Sequence, residues 1–251
     1  MGYEAVHQTI LAVDIEGFGR LNRTNPILVK LRADLRRLLE RAFERESVNL
    51  SKCTIGDTGD GFFVLIPAIV PKTKVLDLVF YLECYLRERN DSVSEKNKMR
   101  LRAVVDAGEV VCDDNGSVAK DLNFAFRLLD CAPLRTALAS TPAGLALIVS
   151  DRIYQDVVLH NAGLIPVEEY FEVKVSVKET TAKAWITVFS RGKATTDKGS
   201  PADSGPEQPR KVVPDGTTKE PGRQGGVRIH AGRDVKTRDV VGGDLTRRGR
   251  E

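Results

Sequence analysis

Apolar positions along the first third of the chain switch between two spacings. The run "QTILAVDI" is rich in strand formers and ends at Asp14, which predicts a first strand. The segment "TNPILVKLRADLRRLLERAFERE" places Ile27, Leu28, Leu31, Leu35, Leu38, Leu39 and Phe43 on one helical face, with Asn25 as N-cap and Pro26 in the first turn. Next, "SKCTIGDTGDGFFVLIP" reads as two strands about a tight glycine-bearing turn, closed by Pro67. A second helix is expected through "VLDLVFYLECYLRE", and "MRLRAVVDAGEVVC" predicts a pair of strands around Ala107-Gly108. The segment "KDLNFAFRLLD" predicts a short helix capped at or near Asp121, with Asn123 and Arg127 four apart on one face. A helix near "PLRTALA", strands at "LALIVS", "EYFEVKVSV" and "AWITVF", and a short helix after Ser150 complete the pattern. This order predicts an α+β fold, a ferredoxin-like plait whose mostly antiparallel sheet has its helices segregated to one side.

Composition sets the limits of that fold. A hydrophobic fraction of 41% over 251 residues supports a proper core. Residues 192–226 hold 7 Gly and 5 Pro with no apolar period, the composition of a flexible linker. The expected division is a folded domain over 1–191, a linker over 192–226, and a disordered tail over 227–251. In the tail, "AGRDV" and "VGGDL" repeat a Gly-x-Asp pattern. Chance similarity in a disordered end and a short association motif that orders against a partner edge both fit it.

Charge narrows the function. From Gly192 onward there are 13 Lys+Arg and 9 Asp+Glu, which leaves 25 against 26 for residues 1–191. A nearly neutral body argues against nucleic-acid binding, since such domains cluster base on a folded face. No apolar window is long enough to span a membrane and the start "MGYEAVHQTI" lacks an export-signal layout, so a cytoplasmic protein away from membranes is expected. Cys53, Cys84, Cys112 and Cys131 have no metal-type spacing and are expected as buried free thiols. His7, His160 and His230 share no motif, and Trp185 is expected in the core. The chain has neither a GxxxxGK[ST] nor a GxGxxG phosphate loop.

Two acids carry the candidate chemistry. Asp14 leaves the first strand, and Asp60 sits between Gly59 and Gly61 at the hairpin turn, where a buried charge is costly without a positive neighbour. If the strand lies beside the hairpin, the carboxylates converge into a site for hard divalent cations that leaves room for phosphate oxygens. Taken alone, both could also be solvated turn acids.

At this point the chain resembles the class III nucleotidyl cyclases. "AVDIEGFGRL" is similar to the family's first metal motif and "TGDGFFVL" to its Gly-Asp-Gly hairpin. "LRAVVDAGEV", the Asn-x-x-x-Arg of "LNFAFR", and "VKETTAKAWITVF" follow in the family's order. The resemblance implies that Asp14 and Asp60, with the Ile15 carbonyl, bind two Mg²⁺ or Mn²⁺ ions. It implies that Asn123 orients the ribose, Arg127 stabilises charge on the α-phosphoryl group, and Arg102 and Lys178 grip phosphate oxygens. The implied reaction turns a nucleoside triphosphate into a 3′,5′-cyclic nucleotide and pyrophosphate. The implied assembly is a head-to-tail homodimer with two shared sites.

Departures from the family bear on the substrate. The positions at which purine cyclases read the base are Gly56 and Gly116 here, and Ala119 replaces a usual Gly. The chain therefore resembles the pyrimidine cyclases of the bacterial Pycsar antiphage systems, which implies UTP or CTP as substrate and a downstream cyclic-nucleotide-binding effector. Asp57, Thr58 or Asp114 are other candidate base contacts. An adenylate or guanylate cyclase, or a non-catalytic nucleotide-binding domain of the same fold, are the alternatives. "VGGDLT" is similar to the diguanylate cyclase hairpin, but it lies beyond the linker and not between core strands.

Overall fold

The computed structural model describes residues 4–113, 116–118, 120–177 and 180–189. In chain order the elements are β1 (Ala5–Ile15), α1 (Asn25–Arg45), β2 (Thr54–Asp57), β3 (Gly61–Pro67), α2 (Lys72–Asp91), β4 (Leu101–Asp113), β5 (Gly116–Val118), α3 (Lys120–Leu129), α4 (Ala132–Ala139), β6 (Leu145–Ser150), α5 (Asp151–Asp156), β7 (Phe171–Val177) and β8 (Thr180–Val188). The expected linker and tail, 192–226 and 227–251, lie outside the described residues, as do Asp114, Ala119, Lys178 and His230.

The strands form one sheet in the order β2-β3-β1-β4-β6-β8-β7, with β5 paired to the end of β4. Its neighbouring pairs are antiparallel except β4 and β6, which run parallel. A parallel pair needs a crossover connection, and α3 and α4 supply it. That crossover corrects the expectation of helices on one side. Leu11, Val13 and Ile15 of β1 pack with α1, α2 and α5 on one face. Ile10 and Ala12 pack with α3 and α4 on the other. Periodicity shows that a helix has an apolar face but not which side of the sheet it meets. Burial on both faces is also why β1 reads as a continuous apolar run and not as an alternation.

Another expectation fails at Gly108. The predicted turn there does not exist, and β4 is a single strand of 13 residues. A Cβ on Gly108 would fall 2.0 to 2.5 Å from the Asp121 side chain, so this glycine permits a close approach by α3. Asp121 accepts a hydrogen bond from the Glu109 N–H (3.0 Å) and thereby ties the start of α3 to the strand. At α1 the N-cap is Thr24, one residue before the expected Asn25, with Pro26 in the first turn as predicted.

Behind the sheet, Leu35 of α1 and Leu78 and Leu82 of α2 are fully buried. Each contributes about 1.5–3 kcal/mol by leaving water. Asp34 of α1 accepts two bonds from Arg89 of α2 (3.2 and 3.0 Å) and one from Lys30 (3.1 Å). Burial works to raise its carboxyl, but the bonds from Arg89 and Lys30 hold it below the usual range. Trp185 is half-buried and stacks on Tyr154 at 3.5 Å, in keeping with a core role. Cys53, Cys84 and Cys131 are free, Cys131 is fully buried, and the Cys112 side chain lies outside the described residues.

Candidate active site

The β2–β3 hairpin is built to present Asp60. Gly59 adopts φ +90°, a backbone conformation that side chains disfavour. The Gly59 N–H donates to Asp57 Oδ1 (2.8 Å), and the Thr58 N–H donates to the Gly61 carbonyl (3.1 Å). Asp57 also pairs with Arg32 of α1, which anchors the hairpin to the helix behind it. Gly61 has a different reason to lack a side chain: a Cβ there would lie 2.0 Å from the Val13 carbonyl oxygen. The two glycines flanking the acid thus serve a turn and a close strand approach. Asp60 itself is half-buried, and its carbonyl accepts from the Ile15 N–H (3.0 Å).

Register does the rest. Asp14 is paired with Gly61 of β3 on one side and with Arg102 of β4 on the other. Asp14 and Asp60 therefore lie at the mouth of the same strand pair, about 5 Å apart in the pairing direction. Asp14 is 7% exposed and takes a two-pronged bond from Arg102, Nε to Oδ1 at 2.9 Å and Nη2 to Oδ2 at 2.6 Å. Burial pushes the Asp14 carboxyl up to about 6 against the pull of Arg102, and the nearby charges of Asp60 and Asp130 add to the rise. Asp130, at the end of α3, lies 3.7 Å from Arg102 Nη1 and 2.7 Å from Arg135 Nη1. The motifs did not point to Asp130. Its only sequence signal is an acid just past the Asn-x-x-x-Arg helix with an arginine five residues on.

The donors suit a hard divalent cation. Asp14 and Asp60 supply carboxylate oxygens, and the Ile15 carbonyl, which accepts from the Phe18 N–H (3.1 Å), keeps a second lone pair. Among the described residues no three His, Cys, Asp or Glu side chains converge into a ready-made cage. Two carboxylates and a carbonyl leave the remaining positions to water and phosphate, which is how Mg²⁺ is held beside nucleotides. A cation would also relieve the crowding of Asp60 and Asp130 around Asp14.

The other predicted residues fall into two groups. Asn123 is exposed and Arg127 half-buried on α3, apart from the stripe of Leu122, Ala125, Leu128 and Leu129 that meets the sheet. Helix α3 starts at Glu109 through Asp121 and ends at Arg102 through Asp130, so Asn123 sits near the end away from the acids. The base-reading candidates are differently placed. Gly56 is buried opposite Phe63, whose ring lies 2.0 to 2.8 Å from where a Cβ would be. That ring packs edge-on against Phe126 of α3 at 5.7 Å. Asp57 is engaged by Arg32 and the Gly59 N–H, Thr58 donates to Asp60 (3.3 Å), and Gly116 of β5 is paired with Asp113 of β4. His7 bonds Glu109 at the far end of β1 (2.9 Å).

Solved structures share this fold. An adenylate/guanylate cyclase/hydrolase from Silicibacter pomeroyi superposes with a TM-score of 0.56 at 22% identity, covering 75% of this chain and 100% of that one. The fold is that of cyclase catalytic domains. A guanylyl cyclase matches with a TM-score of 0.54 at 19% identity over 78% of this chain and 98% of its own. A bacterial light-regulated adenylyl cyclase matches with 0.52 at 13% identity over 75% of this chain and 53% of its own. No family model and no curated protein matches the sequence. No helix among the described residues is long and apolar enough to cross a membrane.

Proposed function

We propose that the protein is a nucleotidyl cyclase that converts a ribonucleoside triphosphate to its 3′,5′-cyclic monophosphate and pyrophosphate. The observation that carries this reading is the row Gly61, Asp14, Arg102 across three strands, with Asp60 at its edge. Asp14, Asp60 and the Ile15 carbonyl would hold two Mg²⁺ or Mn²⁺ ions. Such ions acidify a coordinated ribose 3′-hydroxyl and neutralise the triphosphate. The chain's own groups do the positioning. Arg102 has a planar fork suited to phosphate oxygens once released from Asp14. Asn123 is exposed on α3, and Arg127 lies one turn further along the same helix, a placement that suits a site completed by a second copy of the chain. In that homodimer the pair would orient the ribose and stabilise charge on the α-phosphoryl group, with Lys178 as a further phosphate contact.

The favoured substrate is a pyrimidine triphosphate, UTP or CTP. Gly56 offers no side-chain donor or acceptor, and the Phe63 ring fills the space beside it, which supports a smaller base read without the usual polar contacts. A cyclic pyrimidine would act as a second messenger for a separate binding effector, as in antiphage signalling. A purine cyclase is the second reading, favoured by the adenylate and guanylate cyclases that share the fold. Incubation with Mn²⁺ and each of the four ribonucleoside triphosphates, with product identification, tests both. Cyclic UMP or CMP is expected; cyclic AMP or GMP selects the second reading, and no cyclic product from any substrate overturns the cyclase assignment.

A further inference from the structure

Asp130 closes α3 and precedes α4. Its N–H bonds the Phe126 carbonyl (3.0 Å), so its backbone is fixed as part of the helix end while its carboxylate reaches Arg102 and Arg135. The Arg102 guanidinium is thereby divided between two acids. Nε and Nη2 hold Asp14, and Nη1 faces Asp130 at 3.7 Å. The two acids differ in setting: the Asp130 side chain is 69% exposed, against 10% for Asp14.

A divalent ion at Asp14 and the guanidinium compete for the same two oxygens. Arg102, its side chain only 13% exposed, cannot lose its partner without another anion in reach, because an unpaired buried charge is strongly unfavourable. We propose that Asp130 is a positioning residue for Arg102, the second carboxylate onto which the guanidinium shifts when Asp14 engages a divalent cation. This rests on the metal-site reading given above. The shift frees Asp14 for the ion and keeps the fork at the edge of the site, where it meets the triphosphate. It also links the state of the metal site to α3, the helix that carries Asn123 and Arg127. An Asp130 that merely pairs with Arg135 on the surface would affect neither.

The test is Mn²⁺ affinity of the full chain without nucleotide, read from the spin-resonance signal of free Mn²⁺. The proteins compared are wild type, Asp130→Asn, Arg102→Ala and the double variant. Asp130→Asn is expected to weaken Mn²⁺ binding about fivefold, and Arg102→Ala to tighten it by removing the competitor. In the Arg102→Ala background, Asp130→Asn is expected to change affinity by less than about twofold. Equal weakening in both backgrounds would show that Asp130 acts by charge alone and overturn the proposal, as would no effect in either. If Arg102→Ala fails to fold, Arg102→Met, which keeps much of the side chain's bulk without its charge, serves in its place with the same expectation. Asp130→Glu should restore binding. Loss of Mn²⁺ binding in Asp60→Asn with Asp130→Asn neutral sinks this proposal alone; wild-type and Asp60→Asn proteins that bind alike sink the metal site and this proposal with it.

Discussion

The two faces of the sheet are covered by helices, but they bury different things. Toward α1 and α2 the strands present Leu11, Val13 and Ile15, and the buried acids Asp34 and Glu83 sit on the helices, each bonded to an arginine of α2. Toward α3 and α4 the strands themselves carry ionisable groups, with buried Asp14 and Asp106 and half-buried Arg102 in line with Ile10, Ala12 and Val104. A charge on the inner surface of a sheet opposes stability unless paired. One face is therefore organised for cohesion, and the other accepts a penalty where the chemistry is placed.

Replacing Asp60 by Ala gives the largest expected separation of the two roles. Cyclic nucleotide formation should fall about 10³-fold or more, because several kcal/mol of charge stabilisation is lost. The melting temperature should stay nearly constant, since Asp60 is half-exposed on a turn. A melt lowered as much as activity would erase the distinction between the faces. On the cohesive side, Leu82→Ala should lower unfolding free energy by about 2–5 kcal/mol in a urea titration while the KM of the remaining folded enzyme holds. A raised KM would mean that the α2 layer shapes the site after all.

The pH dependence sharpens the contrast. The Asp14 carboxyl stands at about 6 in the folded chain against an ordinary 3.8, so the folded state holds its proton longer. Stability should fall as pH rises from 3.8 to about 6 and then level off, by an amount on the order of 3 kcal/mol at most. Asp14→Asn should remove this slope. Mn²⁺ affinity should rise over the same window, because the ion requires the ionised carboxylate. The smallest effect is expected at the β6–α5 junction, where the Ser150 hydroxyl accepts from the Ile153 N–H (3.3 Å). Ser150→Ala should cost about 1 kcal/mol in the same titration, with no change in nucleotide preference.

The sequence made the hairpin legible because Gly59 and Gly61 punctuate it and Asp60 has no other reason to stand between them. Strand β1 and helix α1 were likewise legible from apolar spacing alone. Gly108 misled because a glycine that admits the Asp121 carboxylate looks, in one dimension, like a glycine that turns the chain. The coverage of both faces was hidden for a similar reason, since the parallel β4–β6 pairing is a property of topology and not of any local pattern. The Arg102–Asp14 pair joins residues 88 apart and follows from register, which no motif spacing encodes. Asp130 was missed on the same ground.

Trp185 is the chain's one tryptophan, and it lies flat on Tyr154 with Nε1 donating to Asp151 (3.1 Å). Its strand is three places from β1 in the sheet, roughly 14 Å across. Tryptophan emission, excited beyond the tyrosine band, is therefore a single-probe signal set in the layer opposite the acids. A spectral change on adding Mn²⁺ would register a twist carried through the strands, and a silent spectrum would show that the chemical end of the molecule works against a rigid back wall.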